Sequence, residues 1–266
     1  MLARLLTVRW LAFALAVLVL AGLCIELGRW QLHRLDERRD RNTVTRANLA
    51  AASAPVDDVL GPDRTVGRDK EWRSVVATGR YDAAHEVVIR YRNVRDEPGF
   101  EVVTPLLLAD GTAILVDRGF VARATNSSQV PELPPPAPGE VTVTGRLRHS
   151  ERGDDSATQP VNGQARLINA PAIAASTGLR LADGYMTVDE QVPAQAEGLS
   201  GLPGPEIDSG PHFFYALQWF FFALLALGGL VYFAREDVRG GKSDTATQDR
   251  GLRTDRRHAD RGAGVD

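Results

Sequence analysis

The sequence predicts an α+β membrane protein in which two transmembrane helices flank one mainly antiparallel, barrel-like extracytoplasmic β domain. Three observations predict it. Two uncharged apolar stretches lie near the ends of the 266-residue chain. Between them the pattern turns to a period of two, rich in Val, Ile, Thr and aromatic residues, which is the signature of strands. That interval, Gly28 to Pro211, holds 184 residues, enough for one domain with its own hydrophobic core.

The first stretch, Trp10 to Ile25, lies between Arg9 and Glu26. Its sixteen residues are short against the roughly 20 that a bilayer core needs. Leu5, Leu6 and Val8 extend the run when Arg9 snorkels to the headgroups. A cleaved signal peptide is the competing reading, with Arg4 and Arg9 as its basic region. No Ala-x-Ala site follows, however. In Ala21-Gly22-Leu23-Cys24 the bulky Leu23 occupies the place before the cysteine where a lipoprotein box wants a small residue. The stretch reads as an uncleaved anchor, with residues 1–9 cytoplasmic and 10–27 the first span. From Gly28 to about Ala50 the chain reads as a charged helix, in which Glu37 and Arg41 form a favourable i,i+4 pair and Trp30 suits an interfacial anchor.

The domain, residues 28–211, takes its strands from Trp72–Tyr81, Glu86–Tyr91, Phe100–Leu108, Ala113–Val121 and Val141–Arg148. Asp110-Gly111 between two of them marks a hairpin. Pro134, Pro135, Pro136 and Pro138 form a stiff linker. Ala170–Thr177 reads as a short helix and Tyr185–Val192 as a last strand. Core candidates are Val75, Val87, Ile89, Val102, Leu106, Leu115 and Val143. The second apolar stretch, Phe213 to Ala234, has 22 residues without a charge, long enough to span. Gly210-Pro211 pre-sets its first turn, so the span is placed at 212–234. The remainder, 235–266, reads as a cytoplasmic tail, polar and disordered from Gly240.

Orientation follows from Lys and Arg near the span ends. Arg235, Arg239 and Lys242 follow the second span, and no Lys or Arg lies between Glu190 and Pro211. Both termini are therefore expected in the cytoplasm. The arginines after the first span argue weakly the other way, but long loops translocate largely regardless of charge. No presequence is read ahead of the first span, so a bacterial cell membrane is the expected address.

Net charge of −3 with 24% charged residues implies no nucleic-acid partner. Cys24 is the single cysteine, which excludes an intrachain disulfide, a cysteine zinc cluster and a CxxCH haem attachment. Two distant methionines argue against copper delivery. His85-Glu86 opens like a zinc protease motif, but Ile89 stands where the second histidine is needed. No nucleophile elbow or P-loop occurs, so no enzyme is read. Asp117-Arg118 within a strand reads as a plain ion pair or as part of a site.

One constellation stands apart: Pro211-His212-Phe213-Phe214-Tyr215-Ala216-Leu217-Gln218-Trp219-Phe220. His212 lies in the first turn of the second span, where the helix dipole favours the neutral imidazole that iron or copper requires. Tyr215, Ala216 and Trp219 follow at helical spacing, and Gln218 is expected to face the other span. An interfacial aromatic belt that happens to include a histidine is the alternative.

The residues resemble the Surfeit locus protein 1 family of cytochrome c oxidase assembly factors. Three stretches carry the resemblance: Leu27-Gly28-Arg29-Trp30-Gln31-Leu32-His33-Arg34-Leu35; Gly99 to Leu106 with Asp110-Gly111 and Leu115-Val116-Asp117-Arg118-Gly119; and His212 with Tyr215-Ala216-Leu217-Gln218-Trp219. Phe120-Val121-Ala122 departs from the family, which often has Trp and Pro there. The resemblance implies an assembly factor for haem–copper oxidases that binds haem a and aids its insertion into the large subunit. The alternative is a cofactor-free scaffold for an assembly intermediate. Implied partners are the oxidase subunits, the haem a biosynthesis proteins and the lipid bilayer. His212 is the implied ligand of the haem iron. Tyr215 and Trp219 are expected to wall the ring, and Arg29, Arg34 or Arg118 to pair with a propionate. A sixth ligand is left open between His33, a partner's histidine and none.

Overall fold

The computed structural model turns the two apolar stretches into long helices and the interval into a sheet; it describes residues 7–123 and 131–259, the backbone alone over 239–259. In chain order the elements are α1 (Val8–Ala50), β1 (Ala54–Pro55), α2 (Val56–Leu60), β2 (Ser74–Tyr81), a 3-10 turn (Ala83–His85), β3 (Val87–Val94), β4 (Glu97–Leu108), β5 (Ala113–Ala122), β6 (Glu140–Arg148), α3 (Asp155–Thr158), β7 (Gln164–Ala165), α4 (Ala170–Thr177), β8 (Leu181–Val192) and α5 (His212–Ala259). They fall into two units, residues 1–40 with 208–266, and Arg41–Ile207.

The first unit is helical. Val8–Ala50 and His212–Val238 are long and apolar enough to cross a membrane. α1 has 43 residues, about 65 Å at 1.5 Å per residue, so its apolar half continues unbroken into the charged half. Residues 28–40 thus group with the helices. Ala21, Cys24, Gly28 and Leu35 are the buried residues of α1, and Ala216 and Ala223 are buried on α5. Spacings of three, four and seven put each set on one helix face. Small side chains let the two backbones approach, as helices in membranes do: a Cβ added at Gly28 would stand 2.8 Å from the Phe220 ring. Ala216, Phe220 and Ala223 take this face, and Gln218, expected on it, is exposed. The backbone of α5 remains helical to Ala259, over the stretch that composition reads as disordered.

The second unit carries an eight-stranded sheet in the order β1-β2-β6-β8-β5-β4-β3-β7, with β2 also pairing β4. Five pairings are antiparallel: β2–β4, β2–β6, β3–β4, β4–β5 and β6–β8. Three are parallel: β1–β2, β3–β7 and β5–β8. The sheet is thus mixed, with antiparallel pairings in the majority as expected; the barrel-like part of the expectation is corrected, because the sheet is not a barrel and the two-residue strands β1 and β7 lie at its outer positions. Alternation within a strand does not encode the direction of its neighbour. A parallel neighbour needs a long crossover, and the chain between β5 and β8 supplies one through β6, β7 and α4.

Alternate residues of β5 serve two hydrophobic clusters, as a strand buried on both faces must. Ile114 and Val116 join Val75, Leu106, Val143, Leu147 and Met186. Leu115 joins Val87, Ile89, Val103, Ile168, Ile173 and Tyr185. All seven expected core residues are buried. The β4–β5 hairpin closes at Asp110-Gly111, with Gly111 at φ +77°; Asp110 Oδ1 accepts from the Thr112 hydroxyl at 2.6 Å and the Thr112 amide at 2.9 Å. α4 starts where Asn169 Oδ1 accepts from the Ala172 amide at 2.9 Å and ends at Gly178 in the left-handed region. These local signals explain why hairpin and helix fall where the sequence puts them.

Candidate functional site

The helical unit presents one histidine in an unusual setting. His212 opens α5, and its Nδ1 lies 2.8 Å from Gln31 Oε1 on α1. An amide oxygen accepts, so Nδ1–H donates to it and the ring's lone pair is left on Nε2. That Nε2 is buried and, among the described residues, has no hydrogen-bond partner. A buried acceptor without a partner is costly in an ordinary protein interior. The same arrangement, one ring nitrogen held by a neighbour and the other free, is how proteins prepare an imidazole to ligate a metal.

Gly210 and Asp208 complete the surroundings. Gly210 has φ +62°, a conformation that glycine adopts without strain. A Cβ there would lie 3.0 Å from Arg38 Nη1 and 3.3 Å from His212 Cδ2, the ring carbon next to Nε2. The guanidinium and the imidazole therefore flank one glycine. Arg38 Nη1 donates to Asp208 Oδ1 at 3.0 Å, and the Gly210 amide donates to the same oxygen at 2.7 Å. Gln31 and Arg38 are seven residues apart on α1, hence on one face.

The other candidates are placed as follows. Tyr215 is exposed. Trp219 is partly buried and meets Phe222 edge-on at 5.9 Å. Arg29 pairs with Glu26 at 3.7 Å and Arg34 with Glu37 at 2.8 Å, all four exposed. Among the described residues no hydrogen bond or ion pair joins either arginine to His212. His33 is exposed.

Arg118 belongs to the sheet unit and is fully buried there. The β4–β5 register shifts between Val102 opposite Gly119 and Val103 opposite Asp117, so Arg118 is the extra residue of a β-bulge, a device that re-aims a side chain. Its Nη1 donates to Glu86 Oε2 at 2.9 Å, and its Nη2 to the Pro134 and Pro135 carbonyls at 2.9 and 3.0 Å. Thr104 donates to the same Glu86 oxygen at 2.7 Å. Arg118 therefore pairs with Glu86, not with its neighbour Asp117, and it fastens the proline-rich segment.

Asp117 enters a second buried polar group. Arg92 contacts Glu101 at 2.6 Å and Glu151 at 2.7 Å. Burial first, and then the charge of Glu101, push the Asp117 carboxyl well above the usual carboxylate range, against a weaker pull from Arg92. Burial also raises Glu101, partly offset by Arg92.

Sequence reasoning missed Gln31, Arg38, Asp208 and Gly210. Gln31 lies within the Leu27–Leu35 motif and Gly210-Pro211 reads as a helix start, but nothing local joins Gln31 to a histidine 181 positions away.

A model described as the SURF1 family matches residues 18–224. The chain is 36% identical over 249 residues to the uncharacterized SURF1-like protein Mb2259 of Mycobacterium bovis, covering 92% of this chain and 90% of that protein. The uncharacterized SURF1-like protein Rv2235 of Mycobacterium tuberculosis gives the same identity and coverage. The cytochrome oxidase assembly protein SHY1 of Saccharomyces cerevisiae is 24% identical over 151 residues, 55% of this chain and 38% of that protein.

Proposed function

This chain belongs to the SURF1 family, and from that premise we propose that it serves the assembly of a haem–copper cytochrome oxidase by holding haem a through His212. The observation that carries the haem reading is the His212 imidazole, with Nδ1 engaged by Gln31 and a buried, unpartnered Nε2. The donor set fits the group: one neutral imidazole nitrogen is a proximal haem ligand of the ordinary kind. His212 Nε2 would hold the iron of a bound haem, and the group would supply its redox-active metal there.

The chain's own residues do the rest. Gln31 fixes the tautomer and the ring orientation of His212. Tyr215 and Trp219, one and two turns along α5, supply aromatic surface for an apolar macrocycle. Arg29 and Arg34 offer guanidinium groups to propionates. For Arg118, full burial and engagement with Glu86 support a place in the sheet's framework instead. The partners are the oxidase subunits and the proteins that make haem a. The location is a bacterial cell membrane, with both termini cytoplasmic and the sheet unit outside.

The test is complementation of a strain lacking the protein. The wild-type chain should restore assembled oxidase and its haem a content, and His212→Ala should restore markedly less of both. Equal restoration by His212→Ala, at equal protein level, would favour the cofactor-free scaffold.

A further inference from the structure

Asp208 Oδ1 sits where two donors converge, Arg38 Nη1 at 3.0 Å and the Gly210 amide at 2.7 Å. A Cβ on Gly210 would lie 3.0 Å from Arg38 Nη1 and 3.3 Å from His212 Cδ2, so the guanidinium and the Cδ2 edge of the ring, next to Nε2, meet at this glycine. We propose that this spot is the carboxylate subsite of the His212 site: Arg38 and the Gly210 amide take a propionate of the tetrapyrrole, and Asp208 is a built-in competitor for the same donors. The inference rests on the haem reading of His212 and adds the residues that hold the ligand's acidic edge.

Three features carry it. The group found there is a carboxylate, the same chemistry as a propionate, so donors that suit one suit the other. The Arg38–Asp208 pair is exposed, 41% and 63% for the two side chains, and exposed pairs are weak enough to exchange. A ligand already coordinated at Nε2 brings its own carboxylate to Arg38 at high effective concentration and so outcompetes Asp208. Gly210 also has a reason to be glycine beyond its φ, since any Cβ would crowd both Arg38 and the His212 ring. Arg38 lies one turn beyond Arg34, and its closeness to His212 makes it the better placed of the two for a propionate.

Full-length protein in detergent is titrated with haemin and with haemin dimethyl ester, whose propionates are blocked, and binding is read from the Soret band. Wild type should prefer haemin by about tenfold, the worth of one charge-assisted hydrogen bond. Arg38→Gln should lose that preference while keeping the ester affinity, which also shows that the variant is folded. Asp208→Asn should bind haemin several-fold more tightly and the ester unchanged, a gain that no folding defect imitates. Equal affinity of wild type for the two compounds, or no gain in Asp208→Asn, would overturn the subsite and leave His212 ligation standing. No Soret change with either compound in wild type would overturn the haem reading and the subsite with it.

Discussion

Replacing Arg118 by Ala should destabilise the sheet unit severely and leave haem binding at His212 untouched in the fraction that folds. The guanidinium is fully buried and makes three hydrogen bonds, to Glu86 and to the Pro134 and Pro135 carbonyls. Truncation strands a carboxylate that is itself only 16% exposed. Breaking a buried pair from one side costs about 3–5 kcal/mol. For a domain of 150–250 residues each kcal/mol moves Tm by about 2–4 °C, so a fall of roughly 6–20 °C is expected. Arg118→Met with Glu86→Leu removes both charges, and replacement of a whole buried pair by apolar side chains is often nearly neutral; the double variant should recover most of the loss. Thermal unfolding of the detergent-purified chain, followed by near-ultraviolet circular dichroism, measures both. A loss within 2 °C in Arg118→Ala, or no recovery in the double variant, would refute the framework role. Reduced haemin affinity at unchanged Tm would return Arg118 to the list of propionate partners.

Two further outcomes follow from the packing. The folded Asp117 carboxyl titrates well above its ordinary value of 3.8 because of burial and Glu101. Its stabilising contribution is therefore complete below about that pH and is lost as pH rises through the raised folded value. Asp117→Asn removes this titration, so its Tm relative to wild type should climb steadily from pH 4 upward, and parallel Tm profiles would contradict the assignment. Gly28→Leu drives a side chain into the Phe220 ring, where even a Cβ stands 2.8 Å away. Overpacking of this kind costs about 1–3 kcal/mol; Phe220→Ala in the same chain should restore much of the Tm, and no restoration would mean the two residues do not meet.

Much of this structure is legible in local pattern, and the remainder is not local. The strands from Ser74 to Arg148 follow period-two runs, the hairpin follows Asp110-Gly111 and α4 matches Ala170–Thr177 to the residue. β1 and β7 have two residues each, too few for any periodicity. The parallel β5–β8 pairing depends on where the crossover returns, which alternation does not record. At the site, His212 is legible because histidine at the mouth of an apolar span is rare chemistry in that place. Gln31 and Arg38 look like two more polar residues of a charged helix until the fold sets them against the start of α5. The setting of Arg118 is hidden for a related reason: no local pattern records the bulge or the bond to Glu86 that place this charged strand residue in the interior.

Whether His212 ligates haem iron is tested most directly by the Soret spectrum of the protein purified from cells that make haem a. Wild type should carry a Soret band with the features of haem a. His212→Ala should lose it, and His212→Met should shift it, because a thioether replaces the imidazole. Identical haem content and identical spectra in all three proteins would contradict ligation by His212.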